Sequence, residues 1–213
     1  MIRSMFRLAA VFVVSLWGAA TLHAQDVPLA NGVFLVAKPD LADPNFRETV
    51  VLITQPVIGG GPLGVVVNRP LAARLSEAVP DLGEVPPALD QLYGGGPVQR
   101  NHLLLLLRSR EPVPNGLQVL ADVYMSGDGE LLRRAVRGEA AYDAIRVYAG
   151  HSGWAPGQLQ TEIARGGWYV VPADAESIFA ADVATVWPRL IDRITKRSTH
   201  RDAGADEGVV ASR

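Results

Sequence analysis

Along the first half of the chain, short apolar runs alternate with clusters of glycine, proline and polar side chains. Val33–Ala37 (VFLVA) is a β-rich run closed by Lys38-Pro39, Thr49–Thr54 (TVVLIT) is a second, and Leu63–Asn68 (LGVVVN) a third. Runs of this length, bounded by turn residues, read as strands. The Gly- and Pro-rich link Gln55–Pro62 between the second and third reads as a hairpin-type loop. Leu71, Leu75, Ala78 and Val79 give a short helical pattern over Leu71–Val79 before a proline-rich connection. The five leucines Leu103–Leu107 are apolar enough for a buried helix. Pro97 on one side, and Pro112, Pro114 and Asn115-Gly116 on the other, leave them room only for a strand. Leu117–Tyr124 follows as its antiparallel partner.

The second half mixes both periods. Leu131, Leu132, Ala135 and Val136 share one face of a helix over Asp128–Arg137, with Asp128 as its N-cap. Ala144–Tyr148 returns to strand, Pro156–Ala164 is helical with Pro156 near its first position, and Trp168–Val171 is a last strand. From Asp174 to Ile194 the apolar residues Phe179, Val183, Val186, Trp187, Leu190, Ile191 and Ile194 form one stripe. Pro188 inside that stripe predicts a kink or two consecutive helices. Residues Lys196–Arg213 carry no aromatic side chain and no periodic face, and read as a disordered tail. Strands joined by short loops, with helices inserted later, predict an α+β fold over a doubly wound parallel sheet. No spacer divides residues 25–195, so they read as one domain.

The N-terminus has a different character. In Met1–Ala24, Arg3 and Arg7 form a positive region ahead of the 13-residue apolar run Leu8–Ala20, with Ala24 or Ala20 before a cleavage point. That is the anatomy of a secretory signal peptide, and it predicts a periplasmic or secreted protein. The run is short for a membrane span, which takes about 20 residues, although an uncleaved N-terminal anchor is the alternative. Loss of Met1–Ala24 would leave 189 residues and move the net charge from −2 to −4. Such a chain has no basic excess to neutralise a phosphate backbone, which argues against nucleic acid as a partner. With no cysteine among 213 residues there is no disulfide, no thiolate metal site and no thiol nucleophile.

Four blocks in order carry a resemblance. GVFLVAKPDLADPNFRETVVLI from Gly32, GPLGVVVNRP (Gly61–Pro70), YGGGPV (Tyr93–Val98) and SGWAPGQLQTEIARGGW (Ser152–Trp168) resemble the YqgE/AlgH family over about Gly32 to Ile194. The resemblance implies a mostly antiparallel, bifurcated sheet folded into a pseudo-barrel with flanking helices. It also implies an unestablished activity, since family members are labelled transcriptional regulators and share no agreed catalytic residues. Two features depart from the pattern. An export segment precedes the domain, and Thr54-Gln55-Pro56 stands where the family often has a Glu-His pair. The regulator label finds no helix-turn-helix with a basic recognition helix to support it.

The candidate chemistry centres on Gly150-His151-Ser152-Gly153-Trp154, between a strand and a helix. A nucleophile elbow needs Gly-x-Ser-x-Gly, but Trp154 replaces the last glycine and only His200 follows as a triad histidine. A hydrolase using Ser152 with His151 is therefore the runner-up. The leading reading is binding: backbone N–H groups of Gly157 and Gln158 at the helix start could hold an anion flanked by His151, Ser152 and Trp154. The bland alternative packs Trp154 on the sheet while Gln158 and Glu162 complete local hydrogen bonds. The two glycine clusters lack the Lys-Ser/Thr ending of a phosphate loop and read as tight turns or close backbone approach. Asp40, Asp43 and Asn45 lack calcium-loop spacing and read as turn formers. Asn68 reads as bonding the turn that Pro70 begins, and its place in a family block adds it, with Gly95, to the binding candidates. No metal or cofactor is expected. The prediction is an exported, non-enzymatic domain that binds a small anionic ligand or a protein partner through Gly150–Gln158 and the nearby Gly94–Pro97.

Overall fold

In the computed structural model, which describes residues 31–58, 61–140 and 142–207, the apolar runs become ten strands of one curled sheet. Strands β1 (Val33–Ala37), β2 (Val50–Ile58) and β3 (Gly61–Val66) form an antiparallel meander, and β10 (Trp168–Pro172) pairs with the free side of β1. A second antiparallel group joins β6 (Val98–Arg108), β8 (Val123–Ser126) and β7 (Leu117–Leu120) in that spatial order. One long strand, β9 (Ala144–Gly153), belongs to both groups. Its first half lies between β6 and β5 (Gln91–Gly94), parallel to the latter, and β4 (Pro70–Arg74) extends that branch. Its last residues, Ser152 and Gly153, pair with Gly64 and Leu63 of β3. The sheet thus forks at β9, as the family resemblance implied.

The curl nearly closes. The end of β7 returns to the start of β1, where a Cβ added to Gly32 would stand 2.8 Å from the Val119 carbonyl oxygen. Inside the half-barrel, Phe34, Val36, Leu52, Val65, Leu106 and Tyr148 pack together. Helices α4 (Ala175–Ile178) and α5 (Val186–Glu207) cover that core through Ile178, Val186 and Leu190. The outer face of the first strand group packs on α3 (Gln158–Ala164) through Trp154, Leu159 and Trp168. The outer face of the second packs on α1 (Leu75–Ala78) and α2 (Gly129–Val136). Burying each large side chain contributes about 1.5–3 kcal/mol, so a two-faced sheet needs these three layers to hide both sides.

Local chemistry explains the elements. The α2 stripe buries Leu131, Leu132, Ala135 and Val136, and the Asp128 side chain accepts from the Glu130 N–H at 2.8 Å as N-cap. Among the described residues no helix is long and apolar enough to cross a membrane. The leader Met1–Ala24 and residues 208–213 lie outside the described residues.

Several expectations are corrected. Leu117–Tyr124 is two strands, not one. The chain turns at Ala121-Asp122, where Ala121 O accepts from Gln118 Nε2 at 3.0 Å and Arg108 Nε grips Asp122 Oδ2 at 2.7 Å. The Leu71–Val79 helix shrinks to α1, its first residues joining β4. Strand β2 runs on to Ile58, shortening the hairpin link. Of the kink or two consecutive helices expected around Pro188, the stripe takes the second form, α4 and then α5; the break falls after Ile178, and Pro188 sits in the first turn of α5, where its missing N–H has no intrahelical role. Helix α5 also continues through Glu207, so residues 196–207 are not the irregular tail expected. Asp192 and Lys196 bridge one turn at 2.7 Å and the Ser198 hydroxyl donates to Ile194 O, so polar local contacts extend the helix past its apolar stripe.

One charge lies inside. Arg146 on β9 is 9 % exposed, and its guanidinium donates to Ile178 O at 2.7 Å and to Ala180 O, tying the end of α4 to the sheet. It also stacks over the Tyr93 ring at 4.7 Å. The Tyr148 side chain is wholly buried beside Arg146, and burial raises its pKa far above the ordinary value with Arg146 opposing.

Candidate functional site

The sequence blocks that carry the family resemblance meet where the sheet forks. Gly95 leaves β5 directly against β9: its N–H donates to Ala149 O at 2.9 Å, and its carbonyl accepts from Val66 N at 2.9 Å and from the Ser152 hydroxyl at 3.1 Å. A Cβ on Gly95 would sit 2.2 Å from Gly150 O, which no side chain tolerates. Gly150 itself adopts φ +73° beneath the chain at Gly96–Arg100. Close backbone approach, not phosphate cradling, accounts for Gly95.

This geometry removes the elbow. Gly150–Gly153 is the end of strand β9 and not a turn, because its backbone pairs with β3. Ser152 is 0 % exposed and its hydroxyl donates to Gly95 O, so it presents no hydroxyl at the surface. His151 pairs with Val98 of β6, and neighbouring strand residues project to opposite faces, so it is no base for Ser152. Partial burial lowers the His151 pKa, and nearby His102 lowers it further.

At the start of the helix, one of the two N–H groups expected to be open, that of Gln158, is taken. Gly157, left-handed at φ +76°, is the N-cap of α3, and its carbonyl accepts from Thr161 N and Oγ1. The Gln158 N–H donates to Ala155 O at 3.0 Å, while its side chain accepts from Ala155 N and donates to Glu162 Oε1. Trp154 packs at 5.9 Å on Phe46 and edge-on to Trp168 at 6.3 Å. Both indole N–H groups donate to one oxygen, Glu162 Oε2, at 3.0 and 2.9 Å. The bland alternative describes this flank correctly. Asn68 bonds backwards and not along its own turn: Oδ1 accepts from Val50 N and Nδ2 donates to Glu48 O, each at 2.9 Å.

On the other side of β9 the molecule opens. A cleft of about 300 Å³ lies between Arg69, Leu71, Gly96, Pro97, Arg100 and Ala149. Arg69 is a strut: Nη1 donates to Asn45 O at 2.6 Å and Nη2 to Arg47 O at 3.5 Å, holding the Asx turn in which Asn45 N donates to Asp43 Oδ1. Partial burial lowers the Arg69 pKa, opposed by Asp43. Arg100 is exposed, and its side chain makes no hydrogen bond or ion pair among the described residues. Beside it, Val98 is 38 % exposed and Gln99 is held at φ +48°. Glu48, on the loop that Arg69 straps, has φ +54°. Non-glycine backbone of this kind costs on the order of 1–3 kcal/mol and tends to mark binding segments.

Of the residues singled out from the sequence, Gly95, His151 and Ser152 come together at the fork with Gly94–Pro97 at the cleft. Trp154, Gly157 and Gln158 sit on the α3 flank, and Asn68 pins the loop before β2. Arg69 and Arg100 were missed as a pair. Arg69 lay in view inside the Gly61–Pro70 block, but Arg100 sits at the polar start of β6, which the leucine run hid.

The comparisons with known proteins agree with the architecture. A family model described as AlgH-like matches residues 34–198. A UPF0301 protein of Thermobifida fusca is 34% identical over 179 residues, covering 76% of this chain and 86% of its own. One from Mycobacterium bovis is 35% identical over 171 residues, covering 76% and 81%. Among solved structures, protein DIP2367 of Corynebacterium diphtheriae aligns with TM-score 0.65 and 25% identity, covering 80% of this chain and 90% of that one. The solution structure of AlgH from Pseudomonas aeruginosa aligns with TM-score 0.61 and 31% identity, covering 74% and 84%.

Proposed function

The chain belongs to the AlgH-like family, and from that premise we propose that it is an exported, non-catalytic domain that binds a small anionic ligand in the cleft beside Arg69 and Arg100. The observation that carries the reading is the pairing of a formed cleft with an arginine that has no internal partner. Clefts of this size, mostly apolar with a few placed polar groups, are the usual form of small-molecule sites. The sequestered Ser152 supports binding over hydrolysis. Export is supported by the leader Met1–Ala24, with its basic start and 13-residue apolar run.

Three measurements test it on the purified protein and on fractionated cells. A panel of small acids and neutral compounds, read by thermal shift and by the backbone amide spectrum, should yield ligands that move Gly94, Gly96 and Ala149. A panel that moves none of them defeats the binding reading. Ester and phosphoester substrates should show no turnover; turnover lost in Ser152→Ala would reverse the ordering with the hydrolase. The N-terminus of native protein should be Gln25 or Thr21, and intact Met1 in the cytosolic fraction would overturn export.

A further inference from the structure

The two arginines of the cleft are not equivalent, and their difference specifies the ligand. Arg69 has already committed both terminal nitrogens to the Asn45 and Arg47 carbonyls, so it contributes positive field from a fixed position. Arg100 keeps its whole planar fork, which matches an oxyanion with two oxygens in one plane. Apart from the two arginines and Asn45, the side chains of the lining are apolar, Leu71, Pro97 and Ala149, beside the glycines Gly94 and Gly96. The volume of about 300 Å³ holds roughly ten non-hydrogen atoms, at the ~30 Å³ that each water occupies in the liquid. A bare inorganic anion would leave most of that space and its apolar wall unused.

We propose that the cleft takes an amphipathic acid with a single anionic head, a carboxylate or a phosphate monoester, read by Arg100, and with a short hydrocarbon body laid against Leu71, Pro97 and Ala149. This rests on the binding reading of the same cleft and adds the ligand's chemistry to it. Arg100 is the specificity-determining residue, and Arg69 is a positioning residue that keeps the Asp43–Glu48 loop as the opposite wall.

The test titrates the full-length protein with five probes: octanoate, hexyl phosphate, octan-1-ol, acetate and inorganic phosphate. The amide resonances of Gly94, Gly96 and Ala149 and the side-chain Nε–H of Arg100 report occupancy. Octanoate or hexyl phosphate, whichever head fits, should saturate these shifts at concentrations at least tenfold below octanol, acetate and inorganic phosphate. Arg100→Gln should weaken that binding tenfold or more with the rest of the spectrum unchanged, and Arg100→Lys should fall between, keeping charge but losing the fork. The preferred acid separates a carboxylate from a phosphate source. Octanol binding as well as octanoate would overturn the acid head. Acetate or inorganic phosphate binding as well as the longer acids would overturn the hydrocarbon body. Unchanged affinity in Arg100→Gln would overturn the role of Arg100. If the broader compound panel moves the cleft amides and none of these five does, the amphipathic acid falls while the binding cleft stands. If neither moves them, both fall.

Discussion

The two flanks of β9 are made from distant stretches of sequence and end in opposite states. On the α3 flank the central polar groups are answered within the fold: two indoles share Glu162, and Gln158 closes its own turn behind the Gly157 N-cap. On the cleft flank an arginine is unanswered, a valine is exposed, and backbone is held left-handed at Gln99. Satisfied groups rigidify and unsatisfied accessible ones recognise. The comparison teaches that the Ser152–Trp168 block is scaffold, and it leaves the polar start of β6 as the place where the proposed ligand would be read.

Substitutions ranked by their effect on stability probe that division. Gly95→Val drives a side chain into Gly150 O at the fork, so unfolding in urea should show a loss of about 3 kcal/mol or more, or no folded protein. A mild effect would mean that the fork can spread. Glu162→Ala strands the N–H of Trp168, which is 0 % exposed, together with that of Trp154. A loss of about 2–4 kcal/mol is expected, with red-shifted tryptophan emission, and Glu162→Gln should recover part of it because an amide oxygen still accepts.

His151 should contribute less and only in acid. Its lowered pKa means that the folded state refuses a proton that the unfolded chain accepts near pH 6.5. Stability is therefore full above that value and falls as the pH drops through it. His151→Gln should flatten this acid loss in a series of denaturation curves; an unchanged slope would remove His151 as its cause. Arg100→Ala should be smallest of all, within about 0.5 kcal/mol of the parent. If it destabilised the fold as much as Glu162→Ala, the cleft flank would be scaffold too and the contrast would vanish.

What could be read from the sequence follows the same physics. Helix α2 was legible to the residue, because a cap and an apolar stripe coincide at Asp128–Val136. The strand β1 and the leucine run were legible because both are buried. The end of β9 was not: Gly150, His151, Ser152 and Gly153 have the composition of a turn, and only pairing with β3 and β6 makes them strand. Val98–His102 escaped for the converse reason, since an exposed strand segment carries no apolar signal. The turn between β7 and β8 uses Ala121-Asp122, without the glycine or asparagine that usually announces a hairpin. The Arg69–Arg100 cleft joins residues 31 positions apart through a fork that no local pattern encodes.

Because one strand serves as the spine of both arms of the sheet, neither arm can melt away alone. Tearing β9 loose strips pairing partners from three neighbours at once, so thermal denaturation should proceed as a single concerted event for the whole body. Any ligand seated beside Ala149 rests directly on that spine, and its grip is felt as added heat resistance throughout the molecule instead of at one loop.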